Sequence, residues 1–244
     1  MSTVLNKSGG GITLADVTAS NAKQSGRMIP NNDYVGAATA MELSGLLNTA
    51  TFTDSTAVNE MDGDGVYFKQ TSSVSSGADQ GWFEQVDKTR MDHVPFFAHT
   101  FLFATAVTNL RFFVGLADIT SLSDISDADT LTVPAVGIQY STNRSDTTFQ
   151  ALENDGATQA ITDTTVTVAQ STFYHFELDV ESTSTVKIRI TDAAGDTQGN
   201  EITLNTNLPG STVGLRPVLL INPLAAQAHQ VQNYQCYLES RAYI

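Results

Sequence analysis

From about residue 46 onward the chain alternates apolar and polar positions with a period of two, the pattern of strands with one buried face. Tyr174, Phe176, Leu178 and Val180 fall on one face, His175, Glu177 and Asp179 on the other. Val186, Ile188 and Ile190, alternating with Lys187, Arg189 and Thr191, repeat the pattern beyond a short Glu181–Ser184 turn, so the two runs predict a hairpin. A slip of one residue would carry every one of these apolar side chains into water, which fixes the register. Further strands are predicted at Val66–Lys69, Trp82–Val86, Phe96–Ala106, Leu110–Ala117, Val136–Ser141, Thr147–Leu152, Thr164–Ala169, Ile202–Leu204, Val213–Ile221 and Val231–Tyr243. Many short strands punctuated by turn residues predict an all-β sandwich or barrel. Helix is confined to Ala37–Leu47, on propensity, and to a short turn at Asp118–Ile125. Phe96, Phe97, Phe101, Phe103, Phe112 and Phe113 concentrate on what should be two adjacent strands, and aromatic residues of this kind fill sandwich cores.

The first 45 residues read differently. Gly9, Gly10, Gly11, Ser20, Asn21, Ser25, Gly26, Pro30, Asn31 and Asn32 mark turns between short segments. Lys7, Lys23 and Arg27 balance Asp16, Asp33 and Glu42, so the net charge of −14 resides entirely on residues 46–244. This shift places a boundary near Gly45, between an N-terminal assembly arm (1–45) and a sandwich body (46–244). Val4, Leu5, Ile12, Leu14, Val17, Met28 and Ile29 would anchor the arm on another subunit or a particle shell and order it there. A flexible terminus and an additional strand of the same sandwich are the alternatives.

The acidic balance, with only 12 Lys and Arg, argues against a nucleic-acid partner, because phosphate selects for basic side chains. No stretch approaches the roughly 20 apolar residues of a membrane span, and Met1–Val17 has no apolar core after Lys7, so neither a span nor a secretory leader is expected. The single Cys236 excludes an intramolecular disulfide and a multi-cysteine zinc site, and fits assembly in a reducing cytoplasm. It alternates with Tyr234 and Leu238, the setting of a buried thiol.

Three stretches carry a resemblance: Arg111-Phe112-Phe113-Val114-Gly115-Leu116 followed by an acidic loop, Gly137-Ile138-Gln139-Tyr140-Ser141, and Asp146-Thr147-Thr148-Phe149-Gln150. Asp155-Gly156, the strands at Thr164–Val168 and Phe173–Val180, and Leu208-Pro209 before Val213 follow in matching order. Residues 50–244 thereby resemble a concanavalin A-like jelly-roll domain that recurs in structural proteins of tailed phages. The resemblance implies two antiparallel sheets and a non-catalytic protein of the virion surface, such as a capsid decoration, turret or tail or fibre appendage. It further implies assembly in the host cytoplasm, other virion proteins and copies of itself as partners, and host-surface glycans as a further partner class. On this reading Gly115 permits close approach of another backbone, and Asp155-Gly156 forms a hairpin turn. Family members that bind or cleave sugars use a concave sheet face or its rim.

That likeness makes a carbohydrate-binding module the competing reading, with Trp82 and Tyr140 as candidate sugar-stacking residues, although Trp82, beside Phe83 in a strand-like setting, reads first as core or rim packing. Glycan cleavage needs two opposed carboxylates, and Glu177 and Asp179 share a strand face. The family's glucanases carry Glu-x-Asp-x-x-Glu, whereas Glu177-Leu178-Asp179-Val180-Glu181-Ser182 has no carboxylate at position 182. This face, neighboured by Lys187 and Arg189, reads as a charge-compensated exterior, and no enzyme is expected. Calcium is the one candidate cofactor, with Asp118, Asp124, Asp127 and Asp129 as oxygen ligands in the acidic loop. Asp62-Gly63-Asp64-Gly65 begins like a calcium-binding loop but has Ser73 where the bidentate Glu should stand. His93, His99, His175 and His229 are too dispersed for a metal motif, and no Gly-x-Ser-x-Gly elbow marks a nucleophile.

Overall fold

The alternating runs of the sequence become strands, which, apart from one short two-stranded pair near the N-terminus, divide between two antiparallel sheets. The computed structural model describes residues 7–8, 11–12, 25–28, 43–44, 50–53, 56–62, 65–71, 76–77, 79–84, 88–126, 129–192 and 201–241. One sheet has seven strands in the order β13 (Gln159–Thr167), β12 (Thr148–Asn154), β11 (Ala135–Ser141), β10 (Leu110–Ala117), β17 (Arg216–Pro223), β8 (Gln80–Glu84) and β5 (Ala50–Thr53). The other runs β16 (Ile202–Leu204), β15 (Thr185–Asp192), β14 (Phe173–Ser182), β9 (Pro95–Phe103), β18 (Gln230–Ser240), β3 (Ser25–Met28) and β4 (Leu43–Ser44). Beside it, β7 (Gly65–Thr71) pairs with β18 and with β6 (Thr56–Asp62). This is an all-β jelly-roll sandwich.

The predicted hairpin forms in the predicted register. Val180 pairs with Val186, Leu178 with Ile188 and Phe176 with Ile190, and the inward set from Tyr174 to Ile190 is at most 2% exposed. The Asp155-Gly156 turn also forms, between β12 and β13, with Gly156 in the left-handed region at φ +99.

Three expectations are corrected. The phenylalanine strands are not neighbours, because β9 and β10 belong to opposite sheets. Phe101 and Phe103 face Phe112 across the sandwich with ring centroids 5.1 and 5.0 Å apart, and Phe149 and Tyr174 complete the cluster. Phe113 points out of the opposite face of its sheet, while Phe96 is half-buried under the Arg241 guanidinium. The helix expected at Ala37–Leu47 is contradicted at Leu43–Ser44, which pairs as a strand with Arg27–Met28; the rest of that run lies outside the described residues. Cross-strand pairing overrides the local propensity there. In the body, strands β5 and β6 go beyond the predicted set, since ATFT and TAVNEMD are short and carry few large apolar residues in alternation. The other expected turn is a 3-10 helix at Leu122–Ile125, opened by a capping box between Ser121 and Asp124.

Within residues 1–45, β1 (Lys7–Ser8) pairs with β2 (Gly11–Ile12), and β3 pairs with β18, placing Met28 opposite Cys236. Ile12 and Met28 are thus strand residues, whereas Val4, Leu5, Leu14, Val17 and Ile29 lie outside the described residues.

The central strands of the seven-stranded sheet are buried on both faces. Phe112, Val114, Leu116, Ile138, Leu219 and Ile221 enter the inter-sheet core. Phe83, Phe113, Leu152, Val218 and Leu220 point the other way, beneath Ile119, Leu122, Ile125 and Leu131 of the segment joining β10 to β11. Gly115 and Gly137 pair directly in the middle of this sheet. A Cβ on Gly115 would lie 2.7 Å from the Gly137 Cα and closer still to the Val136 carbonyl oxygen.

At the sheet edge, β13 is irregular. Its register against β12 shifts between Thr148 and Gln150, and Thr165 takes a left-handed conformation at φ 63. The Asp163 carboxylate fixes this kink by accepting from Thr165 N (2.7 Å) and Thr148 Oγ1 (2.7 Å).

The loop carrying the chain from β9 to β10 is clamped by buried His229, whose Nδ1 and Nε2 lie 3.0 Å from Ala106 O and 3.2 Å from Asn109 O. Burial holds this imidazole below its ordinary pKa of 6.5, against the pull of the two carbonyls. Unfolding therefore takes up a proton just below pH 6.5, and stability declines as pH falls from 6.5 toward the depressed folded value. Urea midpoints between about pH 5 and 8 should show this slope, and His229→Gln should remove its share. Gly115→Ala should cost about 1–3 kcal/mol in the same assay, as backbone has to move to admit the methyl group.

Candidate functional site

On the outer face of the seven-stranded sheet, pairing lines up polar side chains across the strands. Asp163 of β13 pairs with Gln150 of β12, and Gln150 with Gln139 of β11. Arg111 of β10 lies between Ser141 of β11 and Asn222 of β17. Asn222 Nδ2 donates to Asp79 Oδ1 (2.7 Å), just before β8, and Gln150 Nε2 donates to Thr148 Oγ1 (3.0 Å). The period of two that sends Phe112, Ile138 and Ile221 inward sends these residues outward.

Part of the segment between β10 and β11 is fastened over this strip. Arg111 Nη1 donates to Ser126 O (2.9 Å), and Nη2 to Asp129 Oδ2 (2.7 Å), which also accepts from Asn143 Nδ2 (2.8 Å). Gln159 Nε2 donates to Asp129 O, and Asn154 Nδ2 to Leu131 O. Burial acts to raise the Asp129 pKa, but hydrogen bonds from Arg111, Ser141 and Asn143 outweigh it and hold the carboxyl below its ordinary value. Asp79 is shifted upward: burial prevails over the Asn222 hydrogen bond and the Arg111 charge.

The strip contains polar atoms that the fold leaves unsatisfied. Gln139 is 1% exposed, and neither its Nε2 nor its Oε1 has a hydrogen-bond partner among the described residues. Asn222, 2% exposed, has no partner for Oδ1, and Asp129 none for Oδ1. Each such atom costs about 1–3 kcal/mol relative to a paired one. Buried polar groups of this kind are rare in folded proteins and concentrate where a protein does something besides fold.

The residues singled out from sequence fall elsewhere. Trp82 is fully buried in the inter-sheet core, edge-on to His99, and Tyr140 is 5% exposed with its hydroxyl donating to Val107 O (3.2 Å). Neither ring presents a face to a sugar: both strands turn these positions inward, which corrects their assignment as stacking residues. The acidic-loop carboxylates have separate partners, Asp118 on Lys88 Nζ (3.1 Å), Asp124 on Thr120 N (2.8 Å) and Ser121 N (3.0 Å), and Asp129 on Arg111. Asp127 lies outside the described residues, and among those described no three His, Cys, Asp or Glu side chains converge as a metal site. Asp62 and Gly65 pair across the β6–β7 hairpin, with strands rather than helices on either side.

Glu177, Asp179 and Glu181 lie on the outer face of the nine-stranded sheet, each beside a cation: Arg189 (3.5 Å), Arg241 (2.7 Å) and Lys187 (2.8 Å). Cys236 is buried, and burial pushes its thiol pKa well up, away from the reactive thiolate. The sequence signal for the strip was the interruption of apolar runs by Arg111, Gln139 and Asn222; its location emerges only from pairing.

No protein-family profile matches the sequence, and no curated protein does either. Solved structures share the fold. An alginate lyase of polysaccharide lyase family 14 from Aplysia kurodai superposes with a TM-score of 0.60 at 8% identity, covering 90% of this chain and 99% of its own. A protein of unknown function from Shewanella oneidensis MR-1 gives 0.58 at 11% identity, covering 98% of this chain and 100% of its own. A seed lectin of Lotus tetragonolobus gives 0.56 at 9% identity, covering 90% and 99%. The likeness lies in the concanavalin A-like jelly roll.

Replacing Gln139 with Leu, close in shape and without unpaired atoms, should stabilise the protein by about 1 kcal/mol, read as a rise in thermal midpoint. A fall of similar size would mean that the amide is satisfied in solution.

Proposed function

We propose that this chain is a non-catalytic carbohydrate-binding jelly roll, displayed on a virion as a capsid decoration, turret or tail appendage. The observation that carries the binding role is the polar strip across the seven-stranded sheet, with the unsatisfied Gln139 amide in its floor. Amide and carboxylate groups spaced across a sheet suit sugar hydroxyls, which both donate and accept. The fold shared with a lectin and a polysaccharide lyase is compatible with that role. The virion setting rests on the resemblance of Arg111–Leu116, Gly137–Ser141 and Asp146–Gln150 to phage structural domains.

Glu177 and Asp179 are held by cations on the opposite side of the sandwich, which favours binding over cleavage. One observation favours a second reading, glycan hydrolysis: Asp79 is shifted up and Asp129 down, the division expected of an acid and its partner carboxylate. Against it, Asp129 is already engaged by Arg111 and Asn143.

On a glycan array the full chain should bind, and Gln139→Leu should weaken binding by about tenfold, the equivalent of about 1.4 kcal/mol. Glu177→Gln should bind as the parent does. Release of reducing ends that disappears in Asp79→Asn would establish the hydrolase instead.

A further inference from the structure

We propose that the strip selects an uncharged, hydroxyl-rich glycan and rejects uronate, sialate and sulfated chains; this deepens, and rests on, the carbohydrate-binding reading above. The argument is a balance of donors and acceptors. Apart from the Arg111 guanidinium, engaged by Asp129 and Ser126, the atoms of the strip without a hydrogen-bond partner among the described residues are Gln139 Nε2, Gln139 Oε1, Asn222 Oδ1 and Asp129 Oδ1. Only the first is a donor. The last three accept, and a ligand O–H or N–H would pair with them. A sugar hydroxyl supplies a donor and two lone pairs, whereas an ionised carboxylate or sulfate supplies lone pairs alone. An acid group could pair with Gln139 Nε2 but would set its charge against the remaining acceptors.

Charge acts in the same direction. Asp79, Asp129 and Asp163 lie along the strip with Arg111, and Arg111 is already paired at 2.7 Å with both side chains 12% exposed. Freeing that cation for a ligand carboxylate would strand Asp129 in a largely buried setting. The chain's net charge of −14 adds a long-range repulsion toward polyanions. The extent of the strip suits a chain rather than a single sugar: β13 to β8 is five strand spacings, about 24 Å at about 4.8 Å each. Gln139 is directly opposite half-buried Gln150. Because Gln139 is 1% exposed, a glycan lying over Gln150 would pair with the Gln139 amide once that side chain rotates outward.

Affinity electrophoresis of the full chain separates the outcomes, using dextran, mannan and xylan as neutral polymers and alginate, polygalacturonate and chondroitin sulfate as acidic ones. At least one neutral polymer should retard the protein, with an apparent Kd that changes less than about twofold between about 50 and about 500 mM NaCl. Gln139→Leu and Gln150→Ala should each weaken it by about tenfold, about 1.4 kcal/mol, while melting cooperatively; Gln150, half-buried near the sheet edge, is replaceable without a core defect. Retardation by acidic polymers that fades with salt, without retardation by neutral ones, would overturn the selectivity and leave the carbohydrate reading standing. Retardation by no polymer of either kind would overturn both.

Discussion

The middle of the seven-stranded sheet is covered on both sides, and that double burial governs the rest of the molecule. Strands β10, β11 and β17 have one face against the inter-sheet aromatic core and the other beneath Ile119, Leu122, Ile125 and Leu131. Between two such layers there is no room for slack, and the paired Gly115 and Gly137 bring adjacent backbones together where any side chain would intrude. The same confinement makes polarity expensive. A side chain such as Gln139, harmless on an open sheet, becomes a liability when closed in.

The two sheets handle charge differently. The outer face of the nine-stranded sheet has its ions in exposed or half-buried pairs, Glu177 with Arg189, Glu181 and Glu201 with Lys187, Asp179 with Arg241, where water supports each partner and each pair adds little stability. On the seven-stranded sheet more deeply buried pairs, Arg111 with Asp129 and Arg144 with Asp146, combine with amides and backbone donors. One face therefore carries compensated charge and the other a row of amides around buried ion pairs.

The fold was legible wherever one face of a strand is wet. The hairpin β14–β15 alternates strictly because water and core lie on opposite sides, so its register and inward residues followed from the sequence. Legibility failed where burial is two-sided. Beyond Arg111 the run from Phe112 to Ala117 reads as apolar throughout, and nothing in it announces that Phe112 faces one layer and Phe113 another, or that β9 and β10 part into different sheets. Trp82 and Tyr140 offer rings for sugar stacking on the carbohydrate-binding reading of the sequence, yet strand phase, which a neighbouring residue's pairing fixes, turns both inward. Asp118, Asp124 and Asp129 cluster in sequence because acids serve turns and caps; only the three-dimensional path reveals that they have separate partners. The strip from Asp163 to Asp79 joins residues more than 80 positions apart, a relation that no local pattern encodes.

The kink in β13 has a consequence for the molecule in company. An open sheet edge is a template on which a second chain can add a strand, and jelly rolls crowded side by side would otherwise zip together. Here the outermost strand departs from regular pairing at Thr148–Gln150, turns through a left-handed Thr165 and places the Asp163 carboxylate at the bend. A neighbour approaching this edge meets backbone out of step with its own and a charge of the sign that it also bears. The left-handed Thr165 thus denies a second strand the regular backbone ladder along this one edge.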